Sequence, residues 1–176
     1  MMRTIILASV SPWRRTLLER MRIPFVVEAS DFEEDIAQNM PPKELVQALA
    51  QGKAESVAIK HTDAVVIGAD TLVEWDGKPL GKPKTPERAK EMLLALNNRM
   101  HPIHTGWCII DAATGKRESG VETTLVTFRN LSESEIDAYI ATGEAQSVAG
   151  AYAIQGGASS FVKRIEGDFY SIVGLP

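Results

Sequence analysis

The sequence predicts an α/β fold, a mixed twisted sheet with flanking helices, and three observations carry that reading. Short aliphatic runs, Ile5-Ile6-Leu7-Ala8 and Val65-Val66-Ile67, have the length and composition of buried strands. Segments with helical apolar spacing lie between them, with Leu17, Leu18 and Met21 in the first and Leu45, Leu49 and Val57 in the second. Other neighbouring strands are joined through Asp76-Gly77 and Thr114-Gly115, connections too short for a crossover helix, so the sheet cannot be purely parallel.

In chain order, the first strand gives way to Ser11 as N-cap, Pro12 at the first helical position and a short helix. A second strand follows over Phe25 to Glu28, then an acidic loop from Ser30 to Met40, then a long helix from Pro42 to about Ile59. Asp70 is expected where the next strand ends. The hairpin at Asp76-Gly77 leads into the loop Lys78-Pro79-Leu80-Gly81-Lys82-Pro83, and Thr85-Pro86 opens a third helix reaching Leu96. Two strands carry the chain to Phe128. Ser132 and Glu135 have the spacing of a capping box for a fourth helix, which Gly143 stops, and short strands with glycine turns are expected to fill the remainder.

The chain has 176 residues, enough for one domain and too few for two of ordinary size, so 1–176 is read as a single domain. A net charge of -4 gives no general attraction for polyanions, which argues against a nucleic-acid partner and requires any phosphate to be held by local Arg and Lys. The single cysteine, Cys108, can form neither an internal disulfide nor a multi-thiolate zinc site. Thr4 to Ala8 is too short for a signal-peptide core, and no apolar run has the length of a membrane span. A cytoplasmic protein without membrane association is expected.

Several segments carry chemistry. In Ser9-Val10-Ser11-Pro12-Trp13-Arg14-Arg15, a strand ends in two hydroxyls and a helix begins with two guanidinium groups. Helix N–H groups, the positive end of the dipole and a bidentate Arg14 would together suit a phosphate; a plain capped helix with solvated arginines fits equally well. Asp70 in Gly68-Ala69-Asp70-Thr71 has the chemistry to hold Mg²⁺ or accept a proton from water, or simply to cap a turn. The loop Asp31-Phe32-Glu33-Glu34-Asp35 offers further carboxylates, and Lys53 and Lys82 offer ammonium groups, the latter held between Gly81 and Pro83. His101 and His104 lack a third ligand and read as strand or turn histidines. In Gly150-Ala151-Tyr152-Ala153-Ile154-Gln155-Gly156-Gly157, an amide beside two glycines suits recognition of a base edge, or an ordinary turn.

In their order along the chain these segments resemble the Maf family of nucleotide pyrophosphatases, from Ile5 to Pro176. The motifs are Leu7-Ala8-Ser9-x-Ser11-Pro12-x-Arg14-Arg15, Leu49-Ala50-x-x-Lys53-Ala54, Gly68-Ala69-Asp70-Thr71, Gly81-Lys82-Pro83, His101-x-x-x-Thr105-Gly106, Ala149-Gly150-Ala151-Tyr152-x-Ile154-Gln155-Gly156 and Val173-Gly174-Leu175-Pro176. The resemblance implies an elongated, two-lobed fold related to the inosine triphosphatases, with a central cleft. It also implies cleavage between the α and β phosphates of a nucleoside triphosphate, assisted by Mg²⁺ or Mn²⁺. By position, Asp70 corresponds to the proton acceptor and Glu34 with Asp70 to the metal position. Ser9, Arg14, Lys53 and Lys82 correspond to the triphosphate-binding groups, with Lys53 and Lys82 also expected to assist catalysis, and Ser11 and Arg15 of the same segment are further candidates for substrate binding.

The resemblance also places Trp13, Thr71 and Gln155 at positions that separate branches of the family. Thr71 and Gln155 follow the branch acting on dTTP and UTP, whereas Trp13 follows the branch acting on 7-methyl-GTP. An indole stacks well on a cationic purine, and a Gln amide pairs with a uracil or thymine edge. Two markers against one favour the pyrimidine triphosphates. Ser147-Val148 and Ser171 depart from the family's Asp-Lys pair and Asn, and a nucleotide-binding regulator without hydrolysis is the competing reading. The expected partner is a nucleoside triphosphate, with a homodimer left open.

Overall fold

A computed structural model describes residues 3–34 and 40–176. Its strands are β1 (Thr4–Leu7), β2 (Phe25–Val27), β3 (Ala64–Trp75), β4 (Lys78–Leu80), β5 (Met100–Asp111), β6 (Arg117–Phe128) and β7 (Val162–Glu166). Its helices are α1 (Pro12–Arg20), α2 (Pro42–Ala58), α3 (Pro86–Leu96), α4 (Glu133–Ala141) and α5 (Phe169–Val173). The sheet runs β2-β1-β3-β5-β6-β7, with β4 added on β3. It is mixed: β1 pairs in parallel with both β2 and β3, whereas β3–β4 and β6–β7 are antiparallel.

Local chemistry explains the element boundaries. Ser11, Thr85 and Ser132 each accept a backbone N–H three residues on, from Arg14, Arg88 and Glu135 respectively. Glu135 returns the favour to the Ser132 N–H, completing the capping box. The tight turn between β3 and β4 needs two left-handed residues, and Asp76 (φ 51°) with Gly77 (φ 70°) supplies them.

Two expectations are corrected. Asp70 does not end its strand, because β3 continues to Trp75, where Val73, Glu74 and Trp75 pair with β4. The segment after α4 is not built of short strands: three 3-10 turns, Glu144–Ser147, Ala149–Ala151 and Gly157–Phe161, precede β7 and α5. Left-handed backbone at Gly143, Gly150 and Ala151 turns the chain too often for extended pairing. Gly150 is also packed so closely that a Cβ there would lie 2.6 Å from a Val73 methyl.

The chain divides into two compact units. The first comprises Met1–Asp70, Thr105–Glu122 and Gly174–Pro176. Its core joins Ile6, Ala8, Val57, Ala64, Val66, Cys108 and Ile110, and burial pushes the Cys108 thiol up from its ordinary pKa, which leaves it a protonated, inert filler. The second comprises Thr71–His104 and Thr123–Val173, with Leu93, Leu96, Ile103, Phe128, Ile136 and Phe161 at its centre. No helix among the described residues is long and apolar enough to cross a membrane.

Candidate active site

The first unit gathers most of the residues singled out from the sequence. Helix α2 lies directly on β3 because Gly68 has no side chain: a Cβ there would stand 2.4 Å from the Ala50 carbonyl oxygen and 2.7 Å from the Ala54 nitrogen. Gly106 on β5 does the same beneath the preceding turn, 2.3 Å from the Val46 carbonyl oxygen. Lys53 lies between Ala50 and Ala54 in this contact, and Asp70 is two residues along β3 from Gly68, on the same sheet face. The Lys53 ammonium therefore donates to Asp70 Oδ1 at 2.5 Å and to Glu34 Oε1 at 2.6 Å. Lys53 and Asp70 are each only 8% exposed, whereas Glu34 is an open-sided partner.

Strand β1 and helix α1 supply the second half of the cluster. Ser9 is buried, and its hydroxyl accepts from the Ser11 N–H at 3.2 Å and from Arg14 Nη1 at 3.3 Å. The Arg14 Nε donates to the Gly174 carbonyl at 2.8 Å. Gly174 has φ 130°, and a Cβ there would stand 3.2 Å from the Arg14 side chain, so the glycine of the Val-Gly-Leu-Pro motif serves to seat this arginine. Burial pulls the Arg14 guanidinium below its ordinary pKa, and the negative charges of Asp70 and Glu34 act in the opposite direction. Ser9, Arg14, Lys53, Glu34 and Asp70 thus form one electrostatic group at the start of a helix whose first turn holds no acidic residue.

The other expected residues are placed differently. Arg15 is exposed and paired with Glu19 at 2.8 Å along α1, and Trp13 is 37% exposed. Asp35 lies outside the described residues. Thr71, Lys82 and Gln155 belong to the second unit. There Lys82 is exposed in the segment between β4 and α3, beside Gly81, whose carbonyl accepts the Gly150 N–H at 3.1 Å. Gln155 and Thr71 are half-buried. Ser147 is exposed, while Ser171 is buried and shares a hydroxyl contact of 3.0 Å with Thr124.

His101 and His104 do not form a metal pair. Their odd spacing on β5 turns them to opposite faces. His101 is within 2.7 Å of the Tyr152 hydroxyl in the core, and burial lowers its pKa to about 4. His104 sits between Thr123 Oγ1 at 2.9 Å and Glu74 Oε2 at 2.8 Å. Glu144 and Tyr139, which no sequence signal picked out, secure the Gln155 segment: Gly157 N–H donates to Glu144 Oε2 and Ala153 N–H to the Tyr139 hydroxyl, each at 3.0 Å.

The donor set has a definite character toward metals. Among the described residues no group of three or more His, Cys, Asp or Glu side chains could hold an ion. The carboxylates of Glu34 and Asp70 nevertheless converge on one cationic point, now the Lys53 nitrogen. Two hard oxygen donors of this kind suit a hard divalent ion such as Mg²⁺ or Mn²⁺.

Comparison with known proteins places the fold first. The structure of the Staphylococcus aureus Ham1 protein superposes with a TM-score of 0.50, covering 71% of each chain at 17% identity, so the two share an α/β architecture. Sequence then narrows this to a family. The chain belongs to the Maf family, whose model, described as Maf-like protein, matches residues 4–176. It is 46% identical over 175 residues to the dTTP/UTP pyrophosphatase of Moorella thermoacetica, covering 99% of this chain and 90% of that one. The dTTP/UTP pyrophosphatases of Desulforamulus reducens (45% identity; 99% and 92% covered) and Bacillus cereus (48% identity; 99% and 91% covered) are similarly close.

Proposed function

We propose that this protein hydrolyses nucleoside triphosphates, chiefly dTTP and UTP, to the monophosphate and pyrophosphate with the help of Mg²⁺ or Mn²⁺. The observation that carries the reading is the group at the head of α1, where the buried Lys53 and the half-buried Arg14 stand beside two carboxylates. Arg14 and Lys53 have the charge to hold a triphosphate, and Ser9 with the helix N-terminus adds hydroxyl and dipole. The names of the relatives support the pyrimidine assignment.

In the proposed step a water oxygen attacks the α-phosphorus as the bond from that phosphorus to the α–β bridging oxygen breaks. Asp70 accepts the water's proton, and the electron pair of the broken bond leaves on pyrophosphate. Arg14, Lys53 and Lys82 balance the charge on the β and γ phosphates. Glu34 and Asp70 would hold the divalent ion, which supplies charge neutralisation at the phosphate oxygens. Binding the triphosphate gives Lys53 an alternative anionic partner, freeing carboxylate oxygens for these roles.

Trp13 favours a second reading, because its exposed indole is available to stack on 7-methyl-GTP. Pyrophosphate release from dTTP, UTP, CTP, GTP and 7-methyl-GTP, with Mg²⁺ or Mn²⁺ and then with chelator, tests both. Metal-dependent release from dTTP and UTP is expected. Release mainly from 7-methyl-GTP would transfer the assignment, and nucleotide binding without hydrolysis would make the protein a regulator.

A further inference from the structure

The second unit contains a polar brace that the reaction does not use. Glu144, at the start of the 3-10 turn after α4, projects its carboxylate onto the segment 153–157. Its Oε2 accepts the Gly157 N–H at 3.0 Å, and its negative charge acts on the Tyr139 hydroxyl. The Tyr139 ring lies on α4 with its hydroxyl accepting the Ala153 N–H at 3.0 Å. Tyr139 is 5% exposed, and burial together with Glu144 pushes its phenol up from the ordinary pKa. The hydroxyl therefore stays protonated while it accepts from Ala153. The backbone on both sides of Gln155 is thus tied down, at Ala153 by Tyr139 and at Gly157 by Glu144.

Gly156 completes the arrangement. A Cβ at this position would lie 1.9 Å from Glu144 Oε1 and 2.5 Å from its carboxyl carbon, so the absence of a side chain makes room for the carboxylate. Among the described residues the half-buried Gln155 amide has no hydrogen-bond partner of its own. Its placement rests on the backbone that carries it, and that backbone is braced at 153 and 157.

We propose that Glu144, acting with Tyr139, is a positioning residue for base selection: it fixes the segment that presents Gln155 to the nucleotide base. This rests on the reading of Gln155 as the residue that meets a pyrimidine edge. A buried hydrogen-bonding group discriminates between bases only when its position is set in advance, since a wandering amide pairs with either edge. A carboxylate suits the task because it accepts from two donors at once and holds backbone N–H groups more tightly than a neutral acceptor.

The test measures kcat/KM for dTTP and GTP in the full chain carrying Glu144→Ala, Glu144→Gln, Gly156→Ala or Gln155→Ala. Glu144→Ala should reduce the dTTP-to-GTP ratio about tenfold, equivalent to one good hydrogen bond. Glu144→Gln, whose amide oxygen still accepts the Gly157 N–H, should recover most of that ratio. Gly156→Ala should lower it as Glu144→Ala does, by displacing the carboxylate, and it keeps the test available if Glu144→Ala does not fold. A loss of kcat/KM shared equally by both nucleotides, with the ratio unchanged, would reduce Glu144 to a structural brace and overturn the proposal. If Gln155→Ala itself leaves the ratio unchanged, the reading of Gln155 fails; if it collapses the ratio and neither Glu144→Ala nor Gly156→Ala does, only the positioning role fails.

Discussion

Replacing Asp70 by Asn separates the observed role of this carboxylate, as partner of Lys53, from its proposed role as proton acceptor. Asp70 is the nearer of the two partners of a Lys53 ammonium that is itself 8% exposed. Leaving a buried charge without its partner costs about 3–5 kcal/mol. Here the Asn oxygen still accepts a hydrogen bond and Glu34, with a 44% exposed side chain, remains a partner, which reduces the expected loss to about 1–2 kcal/mol. In a chain of this size that is a fall in Tm of roughly 2–8 °C. Turnover should fall much further, by about 10²–10⁴, if Asp70 accepts the proton from water. Thermal unfolding, pyrophosphate release at saturating dTTP, and calorimetric binding of a non-hydrolysable triphosphate distinguish the two effects. The expected result is a folded protein that binds and does not turn over. A variant with lowered Tm but turnover within about threefold of the parent would show that Asp70 only neutralises Lys53, and the proposed mechanism would fall.

Three further perturbations follow from the same geometry. Gly68→Ala should force α2 off β3, because the nearest obstacles are backbone atoms that cannot rotate away; a loss of about 2–3 kcal/mol is expected, with turnover reduced as Lys53 moves from Asp70, and denaturation at parental stability would refute the close-packing account. His101, with a folded-state pKa of about 4 against an ordinary 6.5, remains neutral in the native state over a range where the unfolded chain takes up a proton. Stability should therefore be lost as pH falls from 6.5 to 4, by on the order of 3 kcal/mol; His101→Gln should flatten that limb of the denaturation profile, and an identical slope would exclude His101 as its source. Lys82→Ala removes an exposed side chain, so Tm should hold while the apparent KM rises and kcat falls, each by about tenfold or less; unchanged kinetics would place Lys82 outside the triphosphate site.

Much of the fold was legible because it is encoded by neighbours in the chain. Ser11, Thr85 and Ser132 cap helices through contacts three residues away, and Asp76-Gly77 turns a hairpin through its own backbone angles. The motif residues Ser9, Arg14, Lys53 and Asp70 could likewise be named from ordered spacing, although each had a bland reading when taken singly. The strand boundary at Asp70 could not be found this way, since β3 is prolonged by its pairing with β4 and not by local propensity. The segment beyond α4 looked extended because glycines beside aliphatic residues suit turns between strands, whereas left-handed backbone at 143, 150 and 151 winds it into 3-10 turns.

The sequence by itself determined the order of strands and helices, their caps and turns, the family, and the inventory of charged groups. Only the tertiary structure decided which of those groups meet. Lys53 reaches Asp70 across 17 residues of sequence, Arg14 reaches the Gly174 carbonyl across 160, and the carboxylate of Glu144 finds the Gly157 N–H across 13. Such pairings depend on how closely elements can approach, which is set by the missing side chains of Gly68, Gly106 and Gly156. Local composition does not record that distance, because a glycine that admits a helix and a glycine that merely turns are the same letter until packing distinguishes them.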